Sequence, residues 1–249
     1  MTVTALKDGY EDYNRHQSDR NVNYSRTRVL AGAGFVNPNA TQAKSKTFVR
    51  AILPNRRSKH VPERDLEDGD GTVHWETANW EDIRVGDFVK IMNNESIPAD
   101  LLICATSEEE NVAFVETMNL DGETNLKSRR AVASLTHLRD AKTCADAEQA
   151  SFLINCDRPD NDMYRLNANV TYAGQTLPID LTTTLLRGTV LRNTDWVIGV
   201  VMFTGLDSKI VMNSGGTPSK RSKVERQMNV QVYVSFVSHA FQVLTVRLV

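Results

Sequence analysis

The sequence is poor in the residue types that build several common kinds of functional site. Its 249 residues include only three cysteines, Cys104, Cys144 and Cys156, and no two of them form a CxxC pair. An odd number of cysteines in this arrangement predicts reduced thiols in a cytosolic setting, with neither a disulfide framework nor a zinc site. The five histidines are scattered and lack the spacing of metal ligands. We therefore expect no metal site and no bound cofactor in this chain.

The sequence also lacks a surplus of charge of one sign and a long apolar run. It contains 29 Lys and Arg residues against 31 Asp and Glu residues, so its formal net charge is −2. This balance gives no general attraction to nucleic acid, which we do not expect as a partner. The nearest candidate for a membrane span, residues 230–249, is interrupted by side chains such as Gln231, His239 and Arg247. These polar groups predict that the stretch does not cross a bilayer.

Hydrophobic periodicity predicts a mainly β protein with flanking helices, of the α+β class. Residues 2–24 are predicted to form a helix, because apolar and aromatic residues from Val3 to Tyr13 recur at spacings of three and four. Residues 72–117 consist mostly of short β-rich runs with turns between them, which is typical of a sandwich or a distorted barrel. Residues 101–105 are apolar at every position, as expected for an interior strand.

Local patterns make three further predictions about the chain. A helix is predicted over residues 134–152, where Leu135 and Leu138 begin a series with helical spacing. A hairpin with its turn at Asp195 is predicted over residues 185–203, in the middle of the core. Its second strand should direct residues 196, 198, 200 and 202 to one face and residues 197, 201 and 203 to the other. Residues 31–72 are rich in Gly and Pro and pass from basic to acidic, which predicts a mobile insertion.

The most informative stretch is residues 115–127, Val-Glu-Thr-Met-Asn-Leu-Asp-Gly-Glu-Thr-Asn-Leu-Lys. It follows a strand-like run and leads into a basic cluster that begins at Lys127. Gly122 can adopt a positive φ or let another backbone approach closely, which places Asp121 and Glu123 at the tip of a tight turn. A carboxylate in that position can orient a water molecule or accept its proton. A solvated surface turn is the alternative interpretation.

Taken together, these segments resemble the actuator domain of P-type ATPases, and more narrowly the type IV branch, the phospholipid-translocating ATPases or flippases. Residues 116–127 carry the similarity to the lipid branch, because cation pumps of the family usually have Thr-Gly-Glu-Ser at this turn. Further matching segments in the same order are residues 7–8, 11–12, 85–87, 97–100, 186–188, 191–194 and 203–205. The resemblance implies a distorted jelly-roll-like β-sandwich.

The resemblance also implies how the chain is divided. The implied parts are a cytosolic stalk helix after a missing membrane helix (1–30), a mobile insertion (31–72), the actuator domain (73–229) and an atypical tail in place of the next membrane helix (230–249). A truncated gene product and a real short protein with a divergent end both remain open. In the full-length protein the domain would lie on the cytosolic face of a Golgi, endosomal or plasma membrane.

A mechanism follows from the same resemblance. In the family, ATP phosphorylates an aspartate in a separate domain, and the actuator domain then rotates to bring its loop to the aspartyl phosphate. Glu123 would position and partly deprotonate the attacking water, and Gly122 would allow close approach to the phosphate. Asp121 and Thr124 would hold the turn. Delivery of the water by a moving domain allows hydrolysis to wait for the transport step.

Other parts of such a pump are not found in this sequence. No Asp-Lys-Thr-Gly motif marks a phosphorylated aspartate, and no nucleotide-binding domain is recognisable. The chain alone is therefore expected to be inactive. ATP and Mg²⁺ would belong to the full-length enzyme, and the implied partners are its phosphorylation domain, the phospholipid substrate and an accessory transmembrane subunit. Two alternatives are a free-standing actuator-like regulatory module without activity, and the actuator domain of a cation-transporting P-type ATPase.

Overall fold

The computed structural model describes residues 2–32, 37, 73–214, 224, 228 and 230–239. The chain divides into two compact units, one formed by residues 1–20 with 215–249 and the other by residues 21–214. Helix α1 (Thr2–Asn23), most of which belongs to the first unit, confirms the helix predicted at this end of the chain. Residues 230–239 are also helical. Among the described residues, no helix combines the length and the apolar character needed to cross a membrane.

The second unit is built on a six-stranded antiparallel sheet. Its strands, in chain order, are β1 (Arg26–Ala31), β2 (His74–Asn79), β3 (Phe88–Met92), β4 (Asp100–Thr106), β10 (Thr184–Leu185) and β12 (Trp196–Phe203). Their order across the sheet is β10-β4-β12-β3-β1-β2. Every residue of β4 is buried, which confirms the interior strand predicted from its apolar residues.

Two three-stranded sheets accompany the large one. The first, in the order β11-β5-β6, contains β5 (Val112–Glu116), β6 (Leu126–Arg130) and β11 (Val190–Arg192). The second, in the order β7-β8-β9, contains β7 (Phe152–Cys156), β8 (Ala168–Tyr172) and β9 (Gln175–Ile179). The described residues of this unit also form three short helices: α2 (Met118–Asp121), α3 (Ala141–Ala145) and α4 (Lys209–Ser214). This arrangement confirms a mainly β fold with flanking helices.

The large sheet is the middle of three layers, because side chains alternate between its two faces. On one face Leu101 and Ile103 share a core with Ala113 and Val115 of the β11-β5-β6 sheet. On the other face Leu102 and Cys104 share a core with residues of the β7-β8-β9 sheet such as Val170. Phe88 and Phe152 meet edge to face in this second core, with ring centroids 6.2 Å apart. The layered core fixes the position of each small sheet.

The helix predicted over residues 134–152 is wrong for most of its length. The segment forms a 3₁₀ turn (Ala133–Leu135) and the five-residue helix α3, and then enters strand β7. Leu135 and Leu138 are fully buried, so their spacing reflects packing on the large sheet. Asp140 has an extended backbone before α3 (φ −124°, ψ 157°), and Asp146 has one after it. Aspartate favours helix ends over helix interiors, and these two residues limit α3.

The hairpin predicted over residues 185–203 is also wrong in its pairing. Strand β11 pairs with β5 in one layer, whereas β12 pairs with β3 and β4 in the next layer. Asn193 has a positive φ of 48° where the chain passes between the layers. The predicted central position of β12 is confirmed, since residues 197–203 are all buried. Phe203 packs with the face of Ile198 and not with that of Val197, because the register shifts between residues 201 and 203.

The predicted insertion at residues 31–72 lies almost wholly outside the described residues. Within it, Asn37 donates from Nδ2 to the Val85 carbonyl and to Asp87 Oδ1, each at 2.8 Å. Asp87 also accepts a hydrogen bond from the Arg84 backbone N–H at 2.9 Å. The Val-Gly-Asp segment that precedes β3 therefore forms a turn, in which the Asp87 side chain accepts a hydrogen bond from the backbone of Arg84.

Candidate functional site

The Asp-Gly-Glu-Thr turn lies at the tip of a hairpin formed by β5 and β6. The last registered pair of these strands is Glu116 with Leu126, so residues 117–125 form the connection. Strand β5 is central in its small sheet and is paired with β11 on its other side. The base of the loop therefore belongs to a sheet that packs on the core, while the tip extends beyond the last strand pair.

A one-turn helix and a left-handed glycine shape the loop. The carbonyl of Thr117 accepts hydrogen bonds from the backbone N–H groups of Leu120 and Asp121, at 2.8 and 3.1 Å. Gly122 ends α2 in the left-handed region (φ 76°, ψ 2°), and its N–H donates to the Met118 carbonyl. A glycine is favoured here because other residues are strained at this φ. A side chain added to Gly122 would meet no atom within 4 Å, so this side of the tip is open.

The carboxylate of Asp121 holds the turn together. It accepts hydrogen bonds from the Thr117 hydroxyl at 2.9 and 3.0 Å, and from the backbone N–H of Glu123 at 2.9 Å. The ammonium group of Lys127 lies 2.6 Å from Asp121 Oδ2. The base of the turn, Thr117, is only 1% exposed. The Asp121 side chain thus links the buried start of the loop to its exposed tip.

Lys127 joins the two carboxylates of the turn. Its Nζ atom lies 3.0 Å from Glu123 Oε2 in addition to its contact with Asp121. The hydrogen bond from Lys127 lowers the pKa of Asp121 to about 2, assisted by the bonds from the Glu123 N–H and the Thr117 hydroxyl. The same two carboxylates raise the pKa of Lys127. Asp121 and Lys127 are therefore both charged at neutral pH.

Glu123 and Thr124 occupy the exposed part of the tip. The Glu123 side chain is 58% exposed, whereas the side chain of Asp121 is 17% exposed. Among the described residues, the Thr124 side chain has no hydrogen-bond partner, and its assignment to holding the turn stays a prediction. Of the two carboxylates, only that of Glu123 is presented outward. Asp121 accepts a hydrogen bond from the backbone N–H of Glu123, and Lys127 contacts the Glu123 carboxylate.

Two contacts tie the loop to neighbouring segments. Asn119 donates from Nδ2 to the Gly188 carbonyl at 3.3 Å. At the end of β5, Glu116 Oε2 accepts a hydrogen bond from Arg192 Nε in β11 at 2.8 Å. A partly exposed ion pair such as that of Glu116 with Arg192 contributes little stability by itself, but each of these two contacts joins two segments of the chain. Both contacts therefore tie the loop to the β11 side of the hairpin, one through β11 and the other through the segment just before it.

A buried carboxylate supports the segment that Asn119 contacts. Asp100 is 1% exposed and accepts hydrogen bonds from the backbone N–H groups of Arg187 at 2.8 Å and Lys209 at 2.9 Å. Burial raises the pKa of Asp100, although both hydrogen bonds oppose the rise. Asp100, the last residue of the Ile-Pro-Ala-Asp segment, therefore has a structural role. Its carboxylate joins the loop after β10 to the start of α4.

All four residues assigned to the site from the sequence lie in one turn, and two contributors were missed. Thr117 and Lys127 provide the side-chain hydrogen bonds to Asp121. The sequence presents Lys127 as the start of a basic cluster. It also lies four residues after Glu123, which is close enough along the chain for the ion pair between them. Thr117 lies four residues before Asp121, at the start of α2, where threonine is a common capping residue. Across the described segments, no cluster of residues suitable for holding a metal ion is present.

The lowered pKa of Asp121 predicts how stability depends on pH. An unfolded aspartate has a pKa of about 3.9. The stabilisation from the Asp121 carboxylate is therefore complete above about pH 4 and is lost as pH falls through about 2. Because the loop is exposed to solvent, we expect a contribution of about 1 kcal/mol at neutral pH. Urea unfolding of wild type and Asp121→Asn should differ by this amount at pH 7, and the difference should shrink steadily below pH 4.

The exposed Glu109 provides the matched control for this measurement. A Glu109→Gln variant also removes one carboxylate, but it removes no contact of the turn, so its unfolding free energy should follow that of wild type at every pH. A difference between wild type and Asp121→Asn that does not change with pH would contradict the ion pair between Asp121 and Lys127.

Comparison with known proteins places the chain in a family. No family model matches the chain. The chain is 45% identical over 179 residues to the phospholipid-transporting ATPase dnf2 of Schizosaccharomyces pombe, a match that covers 67% of the chain and 13% of that protein. It is 35% identical over 237 residues to the probable phospholipid-transporting ATPase 12 of Arabidopsis thaliana, with 95% of the chain and 16% of that protein covered.

A third relative is the phospholipid-transporting ATPase DNF1 of Saccharomyces cerevisiae. It is 42% identical over 164 residues, which cover 64% of the chain and 10% of that protein. The chain thus spans between 10% and 16% of the length of these three relatives. The resemblance to the type IV flippases inferred from the sequence is confirmed. The chain belongs to the phospholipid-transporting, type IV branch of the P-type ATPases, and it corresponds to a small part of such a protein.

Proposed function

We propose that this chain is the actuator domain of an ATP-driven phospholipid flippase, and that its Asp-Gly-Glu-Thr turn hydrolyses the aspartyl-phosphate intermediate. The observation that carries the proposal is the geometry of the hairpin tip. Glu123 presents its carboxylate outward, 58% exposed, while Asp121 and Lys127 fix its backbone and its side chain. A solvated surface turn has no need for so many restraints on one exposed carboxylate.

The chemistry required is the attack of water on phosphorus. The water oxygen forms a bond to the phosphorus atom as the bond between phosphorus and the aspartyl oxygen breaks. The aspartyl carboxylate leaves with the electron pair, and the proton of the water passes to the Glu123 carboxylate. The products are a free aspartate side chain and inorganic phosphate. A positioned general base contributes a rate factor of about 10² to 10⁴ to such a step.

The open side of the turn suits the approach of a phosphoryl group. Apart from Gly122 itself and its two chain neighbours, no residue has an atom within 4 Å of the position that a Cβ atom on Gly122 would occupy. A phosphorylated residue of another domain can therefore approach the backbone at this point without a steric clash. Asp121, which is engaged by Thr117 and Lys127, holds the turn and is not the base in this scheme.

The remaining elements of the reaction belong to other parts of the pump. ATP and Mg²⁺ act at the phosphorylation and nucleotide-binding domains, and the phospholipid and an accessory transmembrane subunit interact with the membrane region. The domain described here works on the cytosolic face of a Golgi, endosomal or plasma membrane. Because its loop must travel to the aspartyl phosphate, hydrolysis is timed by domain movement and is coupled to lipid translocation.

The relatives favour a lipid pump over a cation pump. All three are phospholipid-transporting ATPases by name, and this chain has Asp121 where cation pumps usually have threonine. A dependence of ATP hydrolysis on added phospholipid, and not on a cation, would support this choice in the complete pump. A regulatory module without activity is distinguished by the experiment below.

The test is the lifetime of the phosphorylated intermediate in a complete pump that contains this domain. With Glu123→Gln, the pump should still accept phosphate from ATP, but the phosphorylated form should accumulate. Normal turnover of the intermediate in that variant would contradict the proposed role of Glu123 and would favour a module that acts only by binding.

A further inference from the structure

We propose that Lys127 is a positioning residue for dephosphorylation, which orients the Glu123 carboxylate and halves the negative charge of the turn as the phosphate approaches. This inference rests on the function proposed above. Lys127 is the only described cation in direct contact with the turn, with Nζ 2.6 Å from Asp121 and 3.0 Å from Glu123. Its test can be separated from the test of Glu123.

The backbone of Lys127 is held independently of the turn. Lys127 pairs with Val115 in the ladder between β5 and β6. This pair lies one step further from the tip than the last registered pair, Glu116 with Leu126. Val115 is 1% exposed and belongs to the core shared with the large sheet. The ammonium group therefore extends from a strand that is fixed by the core. A group on a rigid strand can hold a loop carboxylate in one orientation.

The side chain of Lys127 completes a closed set of contacts. Asp121 binds the backbone N–H of Glu123 at 2.9 Å and the ammonium of Lys127 at 2.6 Å. Lys127 in turn binds the carboxylate of Glu123 at 3.0 Å. Glu123 is thus held at two points, one on its main chain and one at the end of its side chain. Without Lys127, the second restraint is lost and the side chain, which is 58% exposed, is free to rotate into solvent.

Charge provides the second part of the argument. Asp121 and Glu123 together carry two negative charges, and Lys127 reduces their sum to one. An aspartyl phosphate is itself an anion, so repulsion opposes its approach to the turn. Opposite charges within 4 Å interact strongly where water is partly excluded, as it is when two domains meet. The ammonium group offsets part of this repulsion.

The experiment measures decay of the phosphorylated intermediate in the complete pump after removal of ATP. Lys127→Met should slow decay by a factor between about 10 and about 100, the range expected when a catalytic group is misplaced by about 1 Å. Lys127→Arg keeps the charge and should restore most of the rate. Lys142→Met, which alters an exposed lysine of α3, serves as the control and should leave decay unchanged.

The double variant Lys127→Met with Glu123→Gln distinguishes positioning from an independent effect. If Lys127 acts mainly through Glu123, adding Lys127→Met to Glu123→Gln should slow decay by much less than Lys127→Met slows it in wild type, and the small remainder reports the repulsion between Asp121 and the phosphate. Additive slowing, or failure of Lys127→Arg to restore the rate, would overturn the positioning role. Normal decay in Lys127→Met beside slow decay in Glu123→Gln would overturn this inference alone. Normal decay in Glu123→Gln would overturn the proposed function and this inference with it.

Discussion

Glu123→Gln in the complete pump should slow hydrolysis of the phosphorylated intermediate by about two to four orders of magnitude, the usual contribution of a general base. Glutamine has nearly the same shape and keeps an oxygen that can accept a hydrogen bond from Lys127, which lies 3.0 Å away. The turn should therefore keep its geometry, and the loss should fall on proton transfer. The measurement is a chase of the phosphorylated pump with unlabelled ATP, followed by quenching at successive times.

A matched control comes from the same hairpin. Glu110 is an exposed glutamate just before β5, and Glu110→Gln changes the charge by the same amount. It should leave the decay rate unchanged. Phosphorylation by ATP should proceed in both variants, because that step takes place in another domain of the pump. Equal decay in Glu123→Gln and Glu110→Gln would mean that the carboxylate of Glu123 takes no part in the reaction.

Gly199→Ala should be the most damaging small substitution in the core. A Cβ atom at Gly199 would lie 2.8 Å from the carbonyl oxygen of Leu102 and 3.2 Å from Cβ of Leu101. Gly199 lies in β12 between β3 and β4, so neither neighbouring strand can move aside without disturbing the central sheet. We expect a loss of about 3 kcal/mol, at the upper end of typical overpacking effects. Urea unfolding of the full chain, followed by tryptophan fluorescence, measures this loss.

Gly9→Ala is the control for that measurement. A Cβ atom at Gly9 in α1 would meet no atom within 4 Å. Alanine favours a helix over glycine by about 1 kcal/mol, so this variant should be neutral or slightly stabilised. An unfolding midpoint for Gly199→Ala equal to that of wild type would contradict the close approach of β12 to β4.

The central strands β4 and β12 were predictable because their residues are buried on both faces. Strands β4 and β12 are apolar at nearly every position, and no turn signal interrupts them. The pairing of β11 was not predictable in the same way. Its partner β5 precedes it by more than seventy residues, as shown by the pair Leu191 and Val115. A local turn after Arg192 looks like that of a hairpin, whereas the chain there passes from one layer to the next.

The helix predicted over residues 134–152 failed for a related reason. Leu135 and Leu138 have helical spacing, but two successive turns, and not an α-helix, direct both side chains into the core. The backbone N–H of Leu138 donates to the carbonyl of Leu135, three residues earlier, as in a 3₁₀ turn. A spacing of three fits such a turn as well as it fits an α-helix. The sequence signal that was overlooked is Asp140, which starts a new helix.

The candidate site was predictable in composition but not in its internal contacts. The Asp-Gly-Glu-Thr sequence indicates a tight turn with two carboxylates, and Gly122 has the positive φ that such a turn requires. The sequence does not say which carboxylate is engaged and which is presented. That distinction depends on the buried hydroxyl of Thr117 and on strand β6, which brings Lys127 to the turn.

The short connection between β5 and β6 also has a consequence for the entropy of domain docking. Residues 117–125 are confined by strand pairs at both ends, by the one-turn helix α2 and by the bond from Asn119 to Gly188. A flexible loop would lose roughly 1 to 2 kcal/mol of conformational entropy per residue on becoming ordered at its target. Here that ordering accompanies folding of the domain itself. Under the proposed function, an encounter with the phosphorylated domain would begin with a loop that is already ordered, and little binding energy would be consumed in arranging it.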